Sequence, residues 1–498
     1  MAQSIVLGGN GDQRVELPLG MAARHGLIAG ATGTGKTVTL QVMAEGFARR
    51  GVPVFAVDAK GDLSGVAAAG GPHPEIDRRK ALIGLDDHQL RGCPTLLWDV
   101  FGERGHPVRT TVSDMGPDIL STLLDLNETQ TGIMYACFAV ADDEGLLLLD
   151  LKDLRSLLAF MSANAATLRE RYGNISAASV GAIQRRLLVL EQQGVDRFFG
   201  EPALALADLM QRDFSGHGVI SLLDGEKLLR ESPALYTACM LWLLSELFEE
   251  LPEAGDLDAP RLVLFIDEAH LLFSNLPRQL EDRISQVFRL IRSKGVGIFL
   301  VTQSPKDVPE AVLGQLGTRV QHALRAYTPR DQALIRSIAA GMRNDHGLDL
   351  PRVVQDLGVG EALVSVLDDD GVPTSVAAVT VAPPESRIGP LADAERETRR
   401  RQSPMAGRYD HPVDRESAFE LLRERAEQAA ARAERAAEEK AAADREAREK
   451  AADARRAPRQ RASNRQSMAE AFMKSTLRSV GRSLGSRLVR GLLGSLVK

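Results

Sequence analysis

Cysteine is scarce in this chain: Cys93, Cys137 and Cys239 lie far apart, with no C-x-x-C spacing. That excludes a disulfide framework and a cysteine-built zinc site, and the three read as buried thiols of a reducing compartment. The nine histidines show no metal-ligand spacing and read as core or surface residues. Aromatic residues make up 4% of the chain. Their absence as Trp or Tyr from the C-terminal stretch weighs there against stacking on bases and against interfacial anchoring. No run of about eighteen apolar residues occurs, and no basic region leads into an apolar stretch at the N-terminus, so neither a membrane span nor a secretory signal is expected. The expected location is cytoplasmic, with peripheral contact at the inner membrane surface as an option. What the chain does have is 44% hydrophobic residues over 498 positions, enough core for two to four units.

Residues Gly30-Ala31-Thr32-Gly33-Thr34-Gly35-Lys36-Thr37 read as the phosphate-binding pattern G-x-x-x-x-G-K-[ST], between a short strand-like run and a helix-spaced apolar stretch that begins at Val38. Glycines let successive backbone N–H groups turn inward on a phosphate, and the helix N-terminus adds its positive dipole end. Lys36 can reach the β and γ phosphates of ATP, and Thr37 is left to hold Mg²⁺.

Arg261 to Ile266 is an apolar run that ends in Asp267-Glu268, as expected of a buried parallel strand opening onto a ligand crevice. Asp267 is the expected magnesium partner, and Glu268 the group that orients and deprotonates water; that pairing suits hydrolysis. A further apolar run, Gly297 to Val301, leads to Thr302-Gln303-Ser304, and the Gln303 amide is placed to sense the γ-phosphate. Arg319, Arg325 and Arg330 are candidates for an arginine finger; Arg319, which begins a strand-like run, is favoured. Val52 to Asp58 reads as another core strand that delivers Asp58, Lys60 and Asp62 to the nucleotide edge, either as functional charges or as solvated loop charges.

The organisation along the chain reads as an ATPase core in two parts, 1–75 and 256–385, split by a mainly helical insertion at 76–255. Leu146 to Leu158, Val180 to Gln193 and Leu235 to Leu251 carry apolar residues three and four apart. Arg169, Arg171, Arg185 and Arg186 are read as polar faces of these helices, with phosphate contact as the alternative. A polar, proline-bearing linker is expected at 386–414, a charged solvated helix at 415–460 and a basic amphipathic tail at 461–498. The tail has eight basic residues against Glu470 alone, in a chain of net charge −6, so the rest is strongly acidic. Docking on the acidic body, an anionic lipid surface and nucleic acid are all open as its target.

These motifs, with Asp58 to Gly65, Asp267 to Phe273, Arg292 to Gly297 and Val301 to Pro305, resemble the HerA-like bacterial ATPases of the YjgR type over roughly residues 1–390. The wider HerA and FtsK superfamily implies an α/β, RecA-like P-loop core and a homo-oligomeric, hexameric ring. It also implies ATP-driven movement of DNA and an arginine finger lent by the neighbouring subunit. The competing reading is an ATP-gated assembly or signalling scaffold that binds a protein or membrane partner without threading nucleic acid.

Overall fold

The structure is a computed structural model that describes residues 3–274 and 276–456; the basic tail expected at 461–498 lies outside the described residues. Twelve strands among them form one sheet: β1 Ser4–Gly9, β2 Arg14–Pro18, β3 Gly26–Ala29, β4 Val54–Asp58, β5 Thr95–Asp99, β6 His106–Pro107, β7 Ile220–Asp224, β8 Leu262–Ile266, β9 Val296–Thr302, β10 Thr318–His322, β11 Glu361–Ser365 and β12 Ala377–Val381. Their order is β2-β1-β12-β11-β10-β3-β9-β8-β4-β7-β5-β6. From β10 to β6 every neighbouring pair is parallel, while β11, β12, β1 and β2 continue the sheet as an antiparallel wing.

Parallel strands covered on both faces need apolar residues at every position, and β8 and β9 are buried throughout. The alternation of side chains sorts them. Val263, Phe265, Phe299 and Val301 face the helix Lys36–Arg49, whose Phe47 ring lies 5.8 Å from Phe299; Phe265 and Phe299 stack at 5.2 Å. Leu262, Leu264, Ile266, Ile298 and Leu300 point the other way, into a core shared with the helix Pro233–Glu250 and the helices between Val112 and Gln192. The fold is thus α/β and RecA-like, with a helical lobe on one face and a helical C-terminal extension.

Two expectations meet a different outcome. The stretch 76–255 is helical over much of its length, yet it also supplies β5, β6 and β7 to the central sheet. Runs as short as Leu96-Leu97-Trp98 carry no helical period, and periodicity alone passes over such buried strands. The linker expected at 386–414 is instead a strap laid along the body. Backbone N–H groups of Glu385 and Ser386 donate to the Glu45 carboxylate at 2.9 and 3.0 Å, and that of Leu391 donates to Ser64 Oγ at 3.0 Å. Arg396 Nη1 reaches Asp224 at 3.2 Å, and Arg109 donates to the Tyr409 carbonyl at 2.7 Å. The apolar anchors Leu391, Met405, Tyr409 and Ala418 are buried but too widely spaced to register as a helix or strand signal.

The helix Ala418–Arg456 follows. The chain divides into compact units at Arg425, and the described part of the second unit is an exposed helix with an ion pair between Glu446 and Lys450 at 2.5 Å.

Tyr409 is the strap's main anchor. Its ring meets Trp98 edge-on at 5.4 Å, its hydroxyl donates to Asp208, and it accepts the Ala205 N–H at 3.2 Å. Tyr409→Ala is expected to cost about 3 kcal/mol or more, read from the denaturant midpoint of the unit that carries the sheet. A loss below about 1 kcal/mol would show that the strap adds little to that unit.

Candidate nucleotide site

The glycine-rich loop leaves β3 at Ala29 and is stitched to its surroundings by backbone bonds. Gly30 N–H donates to Thr302 O at 3.3 Å, Ala31 N–H to Ala323 O at 3.0 Å, and Gly360 N–H to Thr34 O at 2.9 Å. The end of β9, the segment after β10 and the segment before β11 therefore all hold it. Two glycines are obligatory here. Gly30 has φ +154°, and a Cβ on it would stand 2.5 Å from the Cβ of His322; Gly35 has φ +112° and lies against Gly360.

His322 forms the floor of the loop. Its Nδ1 must donate to the Glu361 carbonyl at 2.9 Å, which leaves Nε2 to accept from the Thr39 hydroxyl at 2.8 Å, on the first turns of the helix Lys36–Arg49. Burial, opposed by the Glu361 bond and aided by the charge of Lys36, brings its pKa down to about 4, so the ring is neutral. The sequence marks His322 only as an unclustered histidine; its distance from Gly30 along the chain hides the role.

Lys36 is buried, with Nζ donating to the carbonyls of Gly30 and Ala31 at 2.6 and 3.0 Å. Its pKa is lowered, first by burial and then by Lys60, against the pull of Asp267 and Glu268. Those four groups therefore share one electrostatic site. Ala31, Thr32, Gly33, Thr34, Thr37 and Val38 complete the loop and the first turn around Lys36, with Thr32 and Gly33 exposed.

Asp267 and Glu268 follow β8 directly, separated from β3 by β9 alone. Asp267 Oδ1 accepts the Glu268 N–H at 2.9 Å, and its carbonyl accepts from the buried hydroxyl of Tyr236 at 2.7 Å. Burial, with the Glu268 charge adding to it, pushes Asp267 up to about 6. Glu268 sits at φ +49°, a left-handed conformation that costs energy in a residue with a Cβ. His270 Nδ1 stands 3.3 Å from Glu268 Oε2, yet outside hydrogen-bonding geometry, and that oxygen is buried with no hydrogen bond. A buried carboxylate oxygen without a donor is costly unless something else meets it. Tyr236 and His270 were not legible as site residues from spacing alone.

Asp58 ends β4 beside this pair and has a second such oxygen: Oδ2 accepts the Leu63 N–H at 3.1 Å, while Oδ1 is buried and unpartnered. Burial pushes Asp58 up to about 7, helped by Asp62 and Asp224. Asp62 is also raised by burial, and Lys60 is exposed. Gln303 is exposed at the C-terminal end of β9, at the same edge of the sheet as the loop. The loop, the acids and the two orphaned carboxylate oxygens fit a Mg²⁺-bound triphosphate in charge and donor type.

The three arginines fall apart. Arg319 is half-buried near the start of β10, opposite Leu27, away from its own loop. Its guanidinium borders a cavity of about 350 Å³ that Arg24, Arg289, Arg292 and Arg343 also line, with no carboxylate among the lining residues. Arg325 and Arg330 are exposed beyond the other end of β10, and Arg325 donates to the Leu357 carbonyl at 3.0 Å.

Sheet order, loop and acids define a RecA-like P-loop protein. The chain belongs to the Helicase HerA-like C-terminal family, whose match covers residues 3–498. It is 34% identical over 125 residues to a probable helicase, MJECL08, of Methanocaldococcus jannaschii, covering 24% of this chain and 22% of that protein. It is 31% identical over 104 residues to the probable DNA double-strand break repair helicase HerA of the same organism, covering 21% and 20%. The matched segments thus span about a fifth of these curated relatives. The plasmid coupling protein TrwB, solved with the non-hydrolysable ATP analogue ADPNP, shares the fold at a TM-score of 0.50 and 16% identity, over 79% of this chain and 92% of that one.

A pH series on the nucleotide-free protein tests the burial of Asp58. Because its folded pKa lies above the unfolded value, Asp58 contributes a loss of stability as pH rises from about 4 to about 7, and Asp58→Asn escapes that contribution. The variant is expected to gain on the wild type by on the order of 3 kcal/mol across that window. A stability difference that does not change with pH would place Asp58 in water.

Proposed function

We propose that this chain is a Mg²⁺-dependent ATP hydrolase that acts on DNA as a hexameric ring. The observation that carries the reading is the meeting of Lys36, Asp267 and a buried oxygen of Glu268 that makes no hydrogen bond, at one sheet edge. Bound Mg·ATP supplies the electrophilic γ-phosphorus. Backbone N–H groups of residues 33–37 and the Lys36 ammonium would hold the phosphates, while Thr37 and Asp267 would hold the metal. Glu268 orients a water and takes its proton, its orphaned oxygen being the natural acceptor. Gln303 touches the same phosphate and passes its state to the segment that follows β9.

Charge on the far side of the phosphate comes from the neighbouring subunit. A finger in trans belongs on a surface away from its own loop, which suits the basic cavity that holds Arg319 and Arg292. DNA as the polymer follows the kinship with helicases named above. Among the described residues no helix is long and apolar enough to cross a membrane. The acidic balance of the body keeps a partner-binding scaffold as the second reading.

Steady-state hydrolysis decides. Lys36→Ala and Glu268→Gln are each expected to lower turnover about a hundredfold or more. Double-stranded DNA is expected to raise wild-type turnover at low salt and to lose that effect as salt rises. Turnover that depends on both residues and ignores DNA at every salt would favour the scaffold. Arg319→Ala subunits mixed with Lys36→Ala subunits are expected to recover activity that neither has alone, since such mixed neighbours restore a complete trans site. No recovery would make Arg319 act elsewhere.

A further inference from the structure

We infer that the apolar cavity beside the P-loop seats the purine base of the nucleotide without reading its hydrogen-bonding edge, so that adenine and guanine nucleotides bind alike. This rests on the nucleotide reading above and adds to it which bases are accepted.

The cavity, about 480 Å³, opens at Gly35 and Val38, the last glycine of the loop and the first turn of the helix, directly beside the seat of the phosphates. Its apolar wall is built from Val38, Ile76, Val359, Pro383, Pro384 and Ile388. Prolines bring no N–H to a base edge. Gly360 belongs to this wall and also ties itself to Thr34 of the loop, so base seat and phosphate seat are one rigid unit.

The side chains of Ser386, Arg387 and Arg79 in the lining are committed to protein partners, and His73 and Glu75, exposed at the rim, are partly so. His73 Nδ1 caps a helix by accepting the Glu75 N–H, and the Glu75 carboxylate takes two bonds from Arg78 Nε and a third from Arg78 Nη2. The Ser386 hydroxyl donates to Glu45 and accepts from Gln41. Arg387 is held in a fork by Glu395, at 2.7 and 2.9 Å. Arg79 spends its guanidinium on the carbonyls of Val359, Gly360 and Val381, at 3.0 to 3.2 Å. A guanidinium pinned in this way offers a flat cationic face, which favours any base and distinguishes none.

Adenine and guanine differ in the donors and acceptors at positions 2 and 6 of the ring. A site with polar groups built for one pattern rejects the other by factors of about ten thousand, whereas an apolar pocket discriminates about a hundredfold at most. The committed side chains place this cavity in the second class. Ile388, 58% exposed at the rim, is then the residue that closes over the base.

The test is calorimetric binding of Mg·ADP and Mg·GDP to the full-length wild type, Lys36→Ala and Ile388→Ala. The wild type is expected to bind the two within about tenfold of each other. Ile388→Ala is expected to weaken both several-fold and equally, and because Ile388 is exposed an unchanged melting curve is expected alongside. A preference above about a hundredfold for either nucleotide overturns the inference, as does an Ile388→Ala protein that binds both as tightly as the wild type. Binding of neither nucleotide by the wild type overturns the nucleotide reading itself, and this one with it.

Discussion

The neutral imidazole of His322 is the fastening on which the nucleotide edge depends. It joins three things that are far apart in the chain: the carbonyl of Glu361 at the start of β11, the hydroxyl of Thr39 in the P-loop helix, and the close approach that leaves room only for glycine at position 30. A charged ring could not accept from Thr39, and burial keeps the ring uncharged. Loop, helix and antiparallel wing are thereby locked into one piece. The loop is bonded directly to Gly360, and Glu45 and Gln41 on the same helix bond the strap that begins near Glu385.

The sheet separates two chemistries. At the C-terminal ends of the parallel strands, the carboxylates of Asp58, Asp267 and Glu268 are crowded together, with the buried cations Lys36 and Arg396 acting on them. Two of their oxygens go unsatisfied, a cost that a polar ligand offsets. Near the start of β10 the lining is arginine without carboxylate. The acids and Arg319 therefore lie at opposite edges of the sheet, the acids after the C-terminal ends of β4 and β8 and Arg319 near the start of β10.

Much of the candidate site was legible because its parts are local. Residues 30–37 and Asp267-Glu268 are contiguous motifs whose chemistry follows from residue type and from their place at strand ends. His322, Tyr236 and the base cavity were not legible, since each draws its meaning from partners hundreds of positions away or in another element. The fold divides in the same way. β8 and β9 announce themselves as unbroken apolar runs, whereas β5 and β7 hide among helices and the strap at 386–417 hides in a polar composition. Its few buried anchors, Leu391, Met405 and Tyr409, are fixed by tertiary contacts that no window of neighbours contains. Arg319 shows the limit from the other side: its strand was legible, but not that it lies away from its own loop among four other arginines.

The central claim is that one rigid unit of loop, acids and base wall receives the nucleotide. Hydrogen–deuterium exchange of the full chain, with and without a non-hydrolysable Mg·ATP analogue, tests it most directly. The account predicts protection concentrated at residues 30–40, 267–270, 359–361 and 383–388, all responding over the same range of nucleotide concentration. Protection absent from 30–40, or present there but missing from both 267–270 and 359–361, would contradict it.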